Sequence, residues 1–323
     1  MSQVHFLNVN DGDCSWIKHA DGKITVIDVN KASLIKVSLE ETRFAANTIL
    51  GNFNQKHHPV NPIEYLKRHG VTSVFRFILT HPDMDHMGGI KDFFKTFEPV
   101  NFWDTANNKI IGSFGGSPYS EDDWKFYQSI RSSDTDPKTL NLYSGAKGQY
   151  FNQNEDKTNA GNGLYVLAPT PQLMKEANES EDHNGGSYVI LYRSANHKIL
   201  FCGDSHDKAW EHILANHCAE VKDVDLMIAP HHGRESDRKY DFLDVTKPKL
   251  TFFGNANSEH LAYEPWRYRK LEYITNNQAN CLVADSQDAG LSIFSTYETF
   301  AKTYNPSTKY SPEHQAWYLK TVQ

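Results

Sequence analysis

The apolar run SVFRFILT, residues 73–80, stops at His81-Pro-Asp83-Met-Asp85-His86, which places two histidines and two aspartates within six positions. The run is rich in β-branched and aromatic residues and reads as a buried strand. Pro82 disfavours helix at His81, and Gly88-Gly89 frees the backbone beyond. The four ionisable side chains are therefore predicted on a sharp loop at the carboxyl end of a strand, where α/β folds build their sites. Without a cation, so many charges in one tight loop would repel one another or waste a core.

Two further strand-like runs end in the same residue types. KILFCGD (198–204) finishes at Asp204, and DVDLMIAPHHG (223–233) finishes at His231 and His232. Asn184 and Ser187 precede a third apolar run, SYVILYRS. A strand-end Asp taken alone is commonly a cap or turn residue, and HHG taken alone is commonly a turn. The combination of nitrogen and carboxylate donors from several strand ends suits zinc or manganese, one or two divalent ions. A carboxylate such as Asp204 can bridge two of them.

The rest of the chain alternates strands and helices. VHFLNV (4–9) and KITVIDV (23–29) read as an opening β-meander, NPIEYLKRHG (61–70) and GIKDFFKTFEP (89–99) as helices. Strands are expected again at 163–169, in KLTFFGNAN, in CLVAD and in GLSIFST, with helices near 207–218 and 264–276. Residues 104–160 are rich in Asn, Ser, Gly, Asp and Thr and read as an insertion of loops with one helix over the site. The tail carries Tyr310, Trp317 and Tyr318 and reads as a docked C-terminal extension, about 300–323. The expected organisation is one domain over 1–323.

Net charge is −7 over 323 residues, so no global basic signature for nucleic acid is present. Four scattered cysteines without a CxxC pair point to a reducing cytoplasm. No basic-apolar leader and no long apolar window is evident, so neither secretion nor a membrane span is expected.

Taken together, these segments resemble the metallo-β-lactamase superfamily. The loop HPDMDH follows its HxHxDH pattern with Asp83 in place of the second His. That variant, the opening VHFLNVNDGDCSWI with VIDV, HNGGSYVILY, LFCGD, APHHGRESD, KPKLTFFGNANSEH and AGLSIFST resemble the soluble domain of ComEC/Rec2 competence proteins. The resemblance covers most of the chain outside 104–160 and the tail. It implies an αββα sandwich of two mixed β-sheets flanked by helices. It implies metal ligands at His81, Asp83, Asp85, His86, Asp204 and His232, with His231 the alternative of the pair. Asn184 falls where a ligand His is usual, which makes one metal site more oxygen-rich. His260 falls near a family histidine, as leaving-group acid or phosphate contact. The serine of HHGS is replaced by Arg234, which either grips a phosphate or is a solvated turn residue.

The function expected is a metal-dependent hydrolase, a phosphodiesterase or nuclease using a metal-activated hydroxide oriented by Asp85 or Asp204. Asn184, Ser187 and Arg234 are the candidate substrate contacts. The acidic balance favours a small phosphodiester or a short single strand over long duplex DNA. Trp124 and Tyr127 are either base-stacking or core residues. The alternatives are hydrolysis of a carbon ester, lactone or amide, and a non-catalytic partner-binding module. An operon-encoded protein partner is a further implication of the resemblance.

Overall fold

The computed structural model describes residues 2–34, 53–154, 158–236, 238–255 and 260–323. The stretch 256–259 within GNANSEH therefore lies outside the described residues. The strands are β1 (Ser2–Phe6), β2 (Ser15–Lys18), β3 (Ile24–Ile27), β4 (Arg76–Ile78), β5 (Asn101–Asp104), β6 (Lys138–Asn141), β7 (Leu164–Ala168), β8 (Val189–Ser194), β9 (His197–Phe201), β10 (Leu226–Ile228), β11 (Leu250–Phe253), β12 (Tyr273–Thr275), β13 (Leu282–Gln287), β14 (Gly290–Ser295), β15 (Tyr310–Ser311) and β16 (Ala316–Val322). The helices are α1 (Pro62–Arg68), α2 (Ile90–Phe97), α3 (Glu121–Ile130), α4 (Pro171–Ser180), α5 (Asp207–Asn216), α6 (Cys218–Val221), α7 (Leu243–Thr246), α8 (Tyr263–Tyr268), α9 (Asn276–Ala279) and α10 (Glu298–Tyr304).

The strands form two mixed sheets, one in the order β15-β16-β14-β13-β1-β2-β3-β4-β5-β6 and one in the order β12-β11-β10-β9-β8-β7. Alternation of side chains across each strand divides the apolar residues among layers. In β8, Ile190 and Tyr192 point between the sheets while Val189 and Leu191 point to the helices outside. Between the sheets lie Val4, Phe6, Ile78, Phe201, Ile228 and Phe252. Outside the larger sheet, Phe77 and Phe102 pack on Phe93, Phe94 and Phe97 of α2 and on Trp124 and Tyr127 of α3. Outside the smaller sheet, Leu200 and Met227 pack with Trp210 of α5 and Trp266 of α8. The result is the αββα sandwich that the resemblance implied. Phe77 is fully buried at the centre of the outer aromatic cluster, and Phe77→Ala is expected to cost about 3–5 kcal/mol.

Several local expectations change. The segment between the first two expected strands contains a further one, β2, paired to both neighbours. The expected helix over 264–276 is α8 followed by β12, because Tyr273–Thr275 extends the parallel edge beside β11. Residues 104–160 are more than loops and a helix, since β6 pairs in parallel with β5. Trp124 and Tyr127 are core, not base-stacking, residues. Asp123 from α3 accepts the Gly89 and Lys91 amides at 3.0 and 3.2 Å, tying the start of α2 to this segment. The tail docks as expected, through β16 along β14.

Candidate metal centre

β3 and β4 are parallel neighbours, so the residues after them emerge side by side. Asp28 after β3 accepts both the Thr80 amide and the Thr80 hydroxyl at 2.7 Å. β9 and β10 are likewise parallel neighbours, which sets Asp204 beside the histidine pair. The His231 amide donates to Gly203 O at 2.9 Å. The two sheets meet where the Tyr188 amide donates to Thr80 O at 2.9 Å. Ligand-type side chains from both sheets thus gather at one edge of the sandwich.

Asp204 is the centre of the gathering and is almost fully buried. Its carboxylate lies 3.4 Å from His86 Nε2, 3.8 Å from His81 Nε2, 3.7 Å from His232 Nε2 and 3.6 Å from His231 Nε2. Asp85 lies 3.6 Å from His232 Nε2. Two sets of converging donors result, His81 with His86 and Asp204, and Asp85 with His86 and His232, each within 4.8 Å. Burial raises the Asp204 carboxyl to about 6, against the pull of His232 and His86. Burial alone would also raise Asp85, but its contact with His232 and the nearby His86 hold it well below the usual carboxylate range.

Two carboxylates behind the cluster orient its imidazoles. His86 Nδ1–H donates to Asp28 at 2.8 Å, and His232 Nδ1–H donates to Asp13 at 2.9 Å. Each bond fixes the ring and turns Nε2 toward Asp204. Burial lowers a histidine, yet Asp204 and Asp28 bring His86 up to about 10, and Asp13 and Asp204 raise His232 well above its usual value. Asp13 reaches His232 because Gly12 has a φ of 73° and lies against the Asp85 carbonyl, where a Cβ would stand 1.8 Å from that oxygen. His231 and His232 both adopt positive φ, 52° and 58°. Such backbones cost on the order of 1–3 kcal/mol each and persist where surroundings hold them.

These donors fit a divalent cation by a test internal to the protein. His81 Nε2, His86 Nε2, His232 Nε2 and Asp204 Oδ1 are all buried and none has a hydrogen-bond partner. A dry interior does not keep four unpaired polar atoms facing one another at no cost. Bonds of about 2.1 Å to one tetrahedral ion would separate ligand atoms by about 3.4 Å, near the spacings observed.

Not every expected residue joins the cluster. Asp83 is in neither donor set; a third of its side chain is exposed (33%), it lies 3.8 Å from His81 Nε2, and it is bonded to Lys109. His231 is also in neither set. Its Nδ1 accepts from Arg238 at 3.3 Å, which leaves its proton on Nε2. Of the pair, His232 is the one whose donor atom converges with those of Asp85 and His86. Ser187, expected at the substrate, is fully buried and accepts the Asp204 amide at 3.3 Å, so it supports Asp204 from behind. Asn184 is half-buried at the start of that segment and does not line the cavity described next, while its neighbour His183 is buried with an unpartnered Nδ1.

A cavity of about 320 Å³ opens on the cluster. Asp85, His232, Arg234 and His260 line it, together with Lys56 and Asn255. Arg234 and His260 thus lie at the same opening, their strands of backbone joined by a bridge between Arg234 and Leu261. Sequence reasoning missed Asp13, Asp28, Lys56, Lys109 and His183. Asp13 and Asp28 sit at visible strand ends, but nothing local shows which histidine each one meets.

No protein-family model matches the sequence, and no curated protein matches it significantly. Among solved structures the chain is similar to Igni18, a metallo hydrolase from the archaeon Ignicoccus hospitalis KIN4/I, with a TM-score of 0.47 and 11% identity over 88% of this chain and 100% of that one. It is also similar to the metallo-β-lactamase fold protein YhfI from Bacillus subtilis, at TM-score 0.43 and 8% identity over 84% and 96%. A diphosphatase from the PhnP family gives TM-score 0.38 and 13% identity over 79% and 86%. Among the described residues no helix is long and apolar enough to cross a membrane.

Proposed function

We propose that this protein is a metal-dependent hydrolase of phosphodiesters, with a small diester or a short single strand as substrate. The observation that carries the reading is the convergence of His81, His86, His232 and Asp204 donor atoms, buried and unpartnered, beside a cavity that His232 and Asp85 line. Asp85, His86, His232 and Asp204 would hold a divalent cation, zinc or manganese by donor type. Such an ion supplies Lewis acidity and lowers the pKa of water.

The chain's own groups do the rest. Asp85 stays ionised and lines the cavity, so it can orient an attacking water. Arg234 and Lys56 at the opening suit the non-bridging oxygens of a phosphate, Arg234 through a planar fork. His260, at the same opening, would donate a proton to the leaving oxygen. The cavity is at the small end of ligand pockets, which run from about 300 to 1,000 Å³, and this favours a short substrate.

The test is hydrolysis of bis(p-nitrophenyl) phosphate and of labelled single-stranded DNA with Mn²⁺, Zn²⁺ or EDTA, for wild type and Asp85→Ala. Metal-dependent cleavage that the variant loses is expected. Cleavage of a p-nitrophenyl carboxylic ester but neither phosphodiester would replace the substrate class. A protein that binds no metal and cleaves nothing would overturn the reading.

A further inference from the structure

The two sides of the cluster differ in what neutralises their carboxylates. On one side Asp85, His86, His232 and Asp204 face one another, and among the described residues neither carboxylate is ion-paired to a lysine or arginine. On the other, Asp83 is already paired with the ammonium of Lys109, which enters from the segment after β5. That pair stands beside His81, with Asp83 3.8 Å from its Nε2.

We propose that Lys109 takes the place of a second metal ion. The centre binds one divalent cation between Asp85, His86, His232 and Asp204, and the Lys109 ammonium supplies the fixed positive charge on the Asp83 side. The physical case is charge balance. Paired metals sit about 3.5–4 Å apart and need anionic ligands to offset their mutual repulsion. Here the donors on the second side, His81 with His86 and Asp204, share His86 and Asp204 with the first ion, and the further carboxylate beside His81, Asp83, is spent on a covalently tethered cation. A second dication would have to compete with that ammonium for Asp83 and sit against its charge.

The inference rests on the metal-centre reading, and the experiment separates the two. Metal-stripped protein is dialysed against Mn²⁺ and, separately, Zn²⁺, and bound equivalents are counted by elemental analysis. The variants are Lys109→Met, Lys109→Gln, Lys109→Arg and Lys109→Met combined with Asp83→Asn, each checked for a wild-type circular dichroism spectrum and melting point. Using both neutral variants keeps one misfolded protein from deciding the result. One equivalent is expected in wild type and Lys109→Arg, two in Lys109→Met and Lys109→Gln, and one again in the double variant. In the Mn²⁺ samples the two-equivalent variants should show the multiline resonance of a coupled pair, which wild type should lack. Two equivalents in wild type, or one in the folded neutral variants, would overturn the Lys109 assignment while leaving the metal centre standing. No bound metal in any protein would overturn both.

Discussion

Two regions of this molecule use the same pair of side chains to different ends. At the cluster, His86 and His232 donate to Asp28 and Asp13 at 2.8 and 2.9 Å. Far from it, His314 in the C-terminal extension meets Asp285 of β13 at 3.1 Å. All three rings are buried. The difference lies in the second nitrogen. His314 Nδ1 is bonded to Ser311 Oγ at 2.7 Å, and its ring stacks on Phe294 at 4.1 Å, so its bonding is complete. The Nε2 atoms of His86 and His232 have no partner and face Asp204. A carboxylate behind a histidine therefore does not by itself mark a ligand; an idle, buried, convergent second nitrogen does.

The sharpest way to break this comparison is to remove the group on which the idle nitrogens converge. Asp204→Asn keeps the shape but removes the charge. Bound metal is expected to fall below about a tenth of wild type, and turnover on the order of 10³-fold, equivalent to about 4 kcal/mol of transition-state stabilisation. Elemental analysis beside a phosphodiesterase assay checks it; a variant that retains its metal would remove Asp204 from the centre. Next in size are the supporting carboxylates. Asp28→Asn and Asp13→Asn are expected to weaken metal binding by about 10–100-fold, as such partners of ligand histidines do. Asp83→Asn, whose carboxylate is engaged by Lys109, is expected to change it by less than about fivefold. Competition against a fluorescent chelator measures all three, and equal losses would erase the distinction between the two sides of the cluster. Smaller again is Arg234→Ala, expected to raise KM for a phosphodiester about tenfold with little change in kcat. A change in kcat alone would place Arg234 elsewhere in the reaction.

Much of this was legible in the sequence because the signals are local. A strand followed by HPDMDH, and strands running into GD and PHHG, declare their residue types and their position at strand ends without any knowledge of topology. The layered fold follows from alternating apolar residues in short runs. What was not legible depends on pairings between distant segments. Asp13 and His232 are 219 residues apart, and only the crossing of the two sheets brings them together. Lys109 lies in a polar stretch with no periodicity to read, so its partner Asp83 was assigned to the metal. Ser187 looked like a substrate contact because it begins a strand beside the site, but strand ends also have a back, and its hydroxyl faces that way. The helix expected over 264–276 failed for a related reason: a short apolar triplet, Tyr273–Thr275, gains more as a parallel edge strand than as a helical turn.

The smallest effect is expected at the completed pair, and it tests the comparison from the other side. Burial would raise the Asp285 carboxyl, but its bonds with His314 and Gln287 hold it below its ordinary value. A carboxyl lowered on folding stabilises the native state above its unfolded pKa, and that contribution disappears as pH falls through the native value. Asp285→Asn is therefore expected to cost about 1 kcal/mol near neutrality, one hydrogen bond after competition from solvent, seen as a fall in Tm of roughly 1–2 °C. The gap between variant and wild type should close as the solution is acidified below the usual carboxylate range. Bound metal and turnover should not change at any pH where the protein is folded, since His314 has no idle nitrogen and stacks on Phe294, which belongs to a separate apolar cluster with Val283 and Ala316. A loss of metal in Asp285→Asn would show that a carboxylate behind a histidine matters to the centre wherever it stands, and the criterion of the second nitrogen would fail.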